Sequence, residues 1–200
     1  MERIKLVVAT GNADKLREFR EILDPERFEL VSKKEAGISV EIDENGETFE
    51  DNARIKARAV AAHTDAAVLA DDSGLEIDAF GGEPGVHSAR YLGEDTSYDV
   101  KNQKILERLS GVPREQRTAR FVCVMAAVLP DGRSFTTRGT VEGYIGEVPM
   151  GENGFGYDPI FYVEKYGVST AAISPEQKNE ISHRGQALRA MRDRLEKEYQ

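Results

Sequence analysis

The sequence predicts a soluble α/β domain, and three observations carry that expectation. Ile4 to Ala9 is a compact apolar run, followed by Thr10-Gly11-Asn12 and then by Leu16, Phe19, Ile22 and Leu23 at helical spacing. That order reads as strand, tight loop and helix. A second apolar run, Ala66 to Ala70, stops at Asp71-Asp72-Ser73-Gly74. In open α/β sheets ligands lie beyond the carboxyl ends of the strands, so polar residues beginning there face a crevice and not the core. Finally, Thr118 to Leu129 and Arg133 to Val141 are long strand candidates joined by Pro130-Asp131-Gly132, which reads as a β-hairpin. The first of these is nearly all apolar and is therefore expected to be central and covered on both faces.

The other elements follow in order. Phe28 to Val31 is a short strand, and Ser32 to Gly46 is a polar connection carrying Glu41, Asp43, Glu44 and Asn45. Thr48 is the expected N-cap of the next helix, with Asp51 at the capping-box position. Phe49, Ala53, Ala57 and Val60 form its inward stripe, while Asn52 and Lys56, four apart, share a different face. Leu75 to Ala79 alternates like a half-exposed strand, and a turn-rich loop follows at Gly81 to Gly85. A helix over Ser97 to Leu109 has Val100, Ile105, Leu106 and Leu109 as its apolar positions. Gly151 to Pro159 holds three glycines and two aromatics before the strand Ile160 to Val163. Ser174-Pro175-Glu176-Gln177 starts a helix with a serine cap, proline in the first position and Gln177 at the capping-box place. Ser182-His183-Arg184-Gly185 opens the last helix, whose Ala187, Leu188, Met191 and Leu195 face the core.

A chain of 200 residues suits one domain spanning 1–200, with room for two lobes but not for two full-sized domains. Lys and Arg total 27 against 36 Asp and Glu, a net charge of −9. That balance disfavours polymeric nucleic acid and anionic lipid as partners, so an anionic ligand has to be small and held by a local basic cluster. No apolar run approaches the ~20 residues of a membrane helix, and the first residues carry no signal-peptide pattern. A cytoplasmic protein is expected. Cys123 lies in an apolar strand and reads as a core residue, since such surroundings raise a thiol pKa. His63, His87 and His183 form no metal-binding pair, which leaves zinc without support.

The chemistry begins with the adjacent acids. Side by side they repel, and ionised in a crevice they are costly to desolvate unless a cation or several donors face them. The Gly11 loop opens a helix, where free backbone N–H groups and the helix dipole favour an anion. Lys15 in that first turn makes sense beside bound phosphate, though a plain βα turn with a surface lysine is an equal reading of this segment alone. Asn52 and Lys56, Lys178, and His183 with Arg184 are further donors on a helix face or at helix starts. Glycines in 151–159 let the backbone approach a ligand, and an aromatic between them can stack on a planar ring. In an acidic protein this combination suits a Mg²⁺-bound nucleotide polyphosphate, because Mg²⁺ takes one or two carboxylates plus phosphate oxygens.

Together these motifs resemble the inosine/xanthosine triphosphate pyrophosphatase family. The residues that carry the resemblance are Thr10-Gly11-Asn12 with Lys15, Thr48-Phe49 with Asn52 and Lys56, and Ala70-Asp71-Asp72-Ser73-Gly74-Leu75. Gly82-x-Pro84-Gly85, Ser88-Ala89-Arg90, Gly154-Phe155-Gly156-Tyr157-Asp158-Pro159, Lys178-Asn179 and Ile181-Ser182-His183-Arg184 follow in the family's order. The resemblance implies a long twisted mixed sheet flanked by helices, two lobes around a central active-site cleft, a homodimer and Mg²⁺ dependence. It implies hydrolysis of XTP, ITP and dITP between the α and β phosphates, giving monophosphate and pyrophosphate. By family position Thr10, Asn12, Lys15 and Lys56 hold the triphosphate, with Gly11 and Asn52 in the same substrate-binding set. Glu44 and Asp72 bind metal, Asp43 being the neighbouring alternative to Glu44, and Asp72 accepts the proton. Ser73, Phe155, Gly156, Tyr157, Asp158, Lys178, His183 and Arg184 bind the nucleotide, mainly its base end.

Lys15 and Lys56 with Mg²⁺ would stabilise the leaving pyrophosphate. An aspartate beside Mg²⁺ and lysines is expected to have a lowered pKa, so Asp72 would orient water and metal more than it draws protons. His183 and Arg184 as donors would accept a 6-keto purine and reject adenine. Two rivals remain. A phosphoribosyltransferase shares the Asp-Asp strand end but has a Thr-Gly-rich run after it, where this chain has Leu75-Glu76-Ile77. A non-catalytic nucleotide sensor would not need the Glu44 and Asp72 pair.

Overall fold

The computed structural model describes residues 3–199. Seven strands form one mixed sheet in the order β2-β1-β3-β4-β5-β6-β7. They are β1 (Ile4–Val8), β2 (Phe28–Ser32), β3 (Ala67–Ile77), β4 (Thr118–Val128), β5 (Ser134–Ile145), β6 (Phe161–Val163) and β7 (Val168–Ser169). β1 pairs in parallel with β2 and β3, whereas β6 pairs antiparallel with β5 and β7. The helices are α1 (Ala13–Ile22), α2 (Phe49–Ala61), α3 (Tyr98–Arg108), α4 (Pro175–Ile181) and α5 (His183–Glu198). None of the described helices is long and apolar enough to cross a membrane.

Local chemistry sets the helix boundaries. Asn12 caps α1, and Thr48 and Ser174 each close a capping box, with Asp51 and Gln177 as partners. Each box satisfies two end donors that would otherwise lack a partner. Phe49, Ala53, Ala57 and Val60 are buried on α2 as their spacing requires.

The chain divides into two compact units. One contains the chain up to Asp72, Cys123–Gly139 and the chain from His183 onward; the other contains Ser73–Val122 and Thr140–Ser182. The first has a core that includes Leu6, Val8, Phe19, Leu69, Cys123, Met125, Leu188 and Met191. The second packs Leu75, Ile77, Ile105, Leu109, Phe121, Ile145, Tyr157 and Phe161. Cys123 is a buried free thiol, as its apolar strand predicts.

Three expectations need correction. The acids do not end a strand, because β3 runs without a break from Ala67 through Asp71-Asp72-Ser73-Gly74 to Ile77. Its pairing with the parallel neighbour β1 stops at Val8↔Leu69, so the acids begin where that neighbour ends. Val100 is not a core position: it is 50% exposed, while Lys101 and Asn102 take the buried face of α3. β5 extends four residues past the expected Val141, to Ile145, and pairs there with Phe161.

Candidate active site

The first unit gathers the acids and cations of the phosphate-type motifs. In the loop before α1, Asn12 Oδ1 accepts from the N–H groups of Asp14 and Lys15 at 2.9 and 3.2 Å, and Thr10 Oγ1 accepts from Asn12 N at 3.1 Å. Asn12 is therefore a capping residue that already takes two of the helix-start donors. That cap directs Lys15 into the unit, where its Nζ donates to Asp71 Oδ2 at 2.7 Å. Asp71 is 1% exposed, and the Arg184 Nε lies 4.0 Å from the same carboxylate oxygen. Burial alone would raise the Asp71 pKa, but Lys15, Arg184 and Lys56 together outweigh it and hold the carboxyl well below its ordinary range. Arg184 is buried in turn, and its Nη1 donates to Glu18. Glu18, Arg184, Asp71 and the half-buried Lys15 thus form a series of alternating charges.

The second acid faces α2. Lys56 Nζ donates to Asp72 Oδ1 at 3.1 Å and to Glu44 Oε2 at 2.8 Å, which brings the two carboxylates onto one ammonium. Asp43 instead accepts from Asn45 Nδ2 in an exposed contact. Asn52 joins the same group: its Nδ2 donates to Asp72 Oδ2 at 3.2 Å and its Oδ1 accepts from Gly46 N at 2.8 Å. Gly46 is required for this contact, because a Cβ there would sit 2.6 Å from Asp51 Cβ and 2.7 Å from Asn52 Oδ1. The acidic loop is tied at its other end by Lys33, whose Nζ donates to Val40 O at 3.1 Å. A cavity of about 600 Å³ opens beside it, lined by Gly11, Lys33, Asp43, Glu44 and Lys56.

Lys56 and Asp72 are both shifted. Desolvation would lower the Lys56 pKa, but Asp71, Asp72 and Glu44 raise it on balance, so the ammonium is firmly charged. Asp72 is shifted up, because burial outweighs the attraction of Lys56 and Lys15 and the neighbouring Asp71 adds repulsion. The lowering expected from the sequence is reversed when the lysines act alone.

In the second unit the glycine-rich segment is organised by Asp158. Its Oδ2 accepts from Phe155 N at 2.8 Å and from Lys178 Nζ at 2.6 Å, while Oδ1 accepts from Thr170 Oγ1 at 2.7 Å. The Lys178 ammonium also lies 5.0 Å from the Phe155 ring centroid. Gly154 adopts φ +73°, and a Cβ there would meet Asp158 Oδ2 at 2.2 Å. Tyr157 is buried and its hydroxyl donates to Ser88 O at 2.6 Å, so its ring belongs to the core; Phe155 is the half-exposed aromatic. Ser73, on β3, is also half-buried.

His183 and Arg184 occupy the first turn of α5, both buried. Gly139 on β5 allows this turn to dock, since a Cβ there would stand 2.1 Å from the His183 carbonyl. Sequence reasoning missed Glu18, Gly46, Gly139 and Asn102. Only Asn102 carried a legible signal, lying three residues before the core position Ile105.

The Ham1 family profile matches residues 6–194. The chain belongs to the Ham1 family. This Ham1-family chain is 48% identical over 190 residues to the dITP/XTP pyrophosphatase of Bacillus subtilis (strain 168), covering 95% of this chain and 96% of that relative. It is 48% identical over 196 residues to the dITP/XTP pyrophosphatase of Desulforamulus reducens, covering 98% of each. Among solved structures, the Staphylococcus aureus Ham1 protein matches with a TM-score of 0.87 at 42% identity, over 97% of this chain and 99% of that one. The Coxiella burnetii HAM1 protein matches with a TM-score of 0.88 at 40% identity, over the same shares.

Proposed function

We propose that this chain hydrolyses non-canonical purine nucleoside triphosphates (XTP, ITP and dITP) to the monophosphate and pyrophosphate. The supporting observation is the convergence of Glu44 and Asp72 on Lys56, beside the Lys15 loop. Two carboxylates offering hard oxygen donors suit Mg²⁺, which keeps waters and shares its coordination with substrate phosphates. Glu44 and Asp72 would hold the ion, which when bound neutralises phosphate charge and acidifies a coordinated water.

The protein's own groups account for the remaining work. Thr10, Gly11, Asn12, Lys15, Asn52 and Lys56 bind the polyphosphate end, and the two ammonium groups offset charge building on the leaving pyrophosphate. Asp72 orients a water toward the α phosphorus and takes its proton as the bond to the β-phosphate oxygen breaks and pyrophosphate departs. Ser73, the Phe155–Asp158 segment and Lys178, all in the second unit, take the base end, with Phe155 for stacking; His183 and Arg184 are assigned to the nucleotide by the family resemblance alone. The family resemblance supports a homodimer, and the acidic composition supports action on small nucleotides and not on polymeric nucleic acid or anionic membranes, with the cytoplasm as the expected location.

The experiment is to incubate the protein with Mg²⁺ and ITP, XTP, dITP, ATP or GTP separately and identify the products. Turnover of the first three with little of ATP and GTP is expected. Inorganic phosphate as the product, or no turnover of any, would refute the reading.

A further inference from the structure

Within the second unit the 154–158 turn is gripped from two sides. Asp158 fastens it from within through Phe155 N, Lys178 and Thr170. The other contact comes from α3, where Asn102 Nδ2 donates to the Gly156 carbonyl at 3.1 Å. Gly156 has φ +68° and no side chain to orient it, so this hydrogen bond fixes the direction of its peptide. Asn102 is only 5% exposed, and its Oδ1 is buried without a hydrogen-bond partner. A buried acceptor left in that state carries a desolvation cost, so stability alone does not explain an amide at this position.

The surroundings make the grip stiff. Lys101, 1% exposed, donates its Nζ to Ala89 O at 2.6 Å and lies 4.7 Å from the Tyr98 ring centroid. Tyr98 meets Tyr157 edge-on at 5.1 Å between centroids, and a Cβ on Gly156 would lie 3.5 Å from the Tyr98 ring. The buried face of α3 therefore ties down both the middle of the aromatic turn, at Gly156, and the 3₁₀ turn at 85–90 that receives the Tyr157 hydroxyl.

We propose that Asn102 is a positioning residue for purine recognition. By fixing the Gly156 carbonyl it sets the Phe155–Asp158 turn, and with it the relation between the Phe155 ring and the Lys178 ammonium. This rests on the reading of that turn as the base end. A leucine at the position would fill similar space and better satisfy an apolar helix face, yet it would leave the Gly156 peptide unheld. Residues assigned to the polyphosphate end make none of these contacts, so loss of the Asn102 donor should act on the base alone.

The test compares Asn102→Leu with the parent enzyme in Mg²⁺, using inosine monophosphate and pyrophosphate as separate inhibitors of ITP hydrolysis, with a thermal melt on each protein. One lost hydrogen bond of ordinary strength predicts that the inhibition constant for the monophosphate and the KM for ITP rise about tenfold. Inhibition by pyrophosphate should stay within about twofold. Unchanged inhibition by the monophosphate in a folded variant overturns the proposal, as does an equal loss for both inhibitors. If Asn102→Leu does not fold, Asn102→Asp, which keeps the shape but turns a carboxylate oxygen on the Gly156 carbonyl, is judged by the same two constants. A parent enzyme that is active but not inhibited by the monophosphate would sink the base-end reading itself.

Discussion

Gly139→Ala tests whether the approach of β5 to α5 governs the site. An ideal Cβ at Gly139 falls 2.1 Å from the His183 carbonyl oxygen, 2.7 Å from Ala187 N and 2.9 Å from Gln186 Cβ, whereas ordinary contact begins at 3.4 Å. The first turn of α5 must therefore withdraw by about 1.3 Å, the difference between the first and last of those distances. Relaxation of α5 is resisted by Thr137, whose Oγ1 donates to Ala187 O at 2.7 Å. Overpacking of this kind costs about 1–3 kcal/mol. At about 2–4 °C per kcal/mol for a protein of this size, the melting temperature should fall by about 2–12 °C. The functional effect should be larger, since a 1 Å misplacement can cost about 100-fold. Steady-state kinetics should show kcat/KM for ITP lower by about 10- to 100-fold, with a smaller preference for ITP over ATP. A folded Gly139→Ala enzyme within about threefold of the parent on ITP, with its preference intact, would refute the reasoning.

Other perturbations follow from the same contacts. Asp72→Asn should abolish turnover while leaving ITP binding measurable by calorimetry. Because burial shifts Asp72 upward, protons should compete with Mg²⁺ at a higher pH than for a free aspartate. On acidification the Mg²⁺ concentration for half-maximal activity should then begin to climb at a higher pH than it would for a carboxyl of ordinary pKa near 3.9. Glu18→Ala strips Arg184 of a buried partner and should destabilise the protein by about 3–5 kcal/mol in urea unfolding. Asp71 has a depressed folded pKa, so its stabilisation is present above its unfolded value of about 3.9 and is lost as pH falls below that. The melting gap between the parent and Asp71→Asn should accordingly be widest near neutrality and close in acid.

The legible parts of the fold were those written in local chemistry. The capping boxes at Thr48 and Ser174 and the stripe Phe49, Ala53, Ala57, Val60 depend on neighbours within a few residues, and all stand in the structure. The acids misled because a break in hydropathy is not a break in the strand. β3 continues past them, and only the end of its β1 partner marks the change. Val100 misled because Lys101 and Asn102 are buried through tertiary contacts with Ala89 and Gly156, which no helical period records. The family pattern set Lys56 with the triphosphate and Glu44 and Asp72 with the metal, and gave no sign that Lys56 pairs with both carboxylates. Asp71, left without a role by its motif, is the partner of Lys15. Gly139 and Gly46 were illegible, because their necessity lies in a close approach by segments distant in sequence or turned back on themselves.

Hydrolysis of ITP in ¹⁸O-labelled water, with both products analysed by mass spectrometry, tests the central claim most directly. Attack of an Asp72-oriented water on the α phosphorus predicts one labelled oxygen in inosine monophosphate and none in pyrophosphate. Label in pyrophosphate, or release of labelled inorganic phosphate with inosine diphosphate, would contradict it.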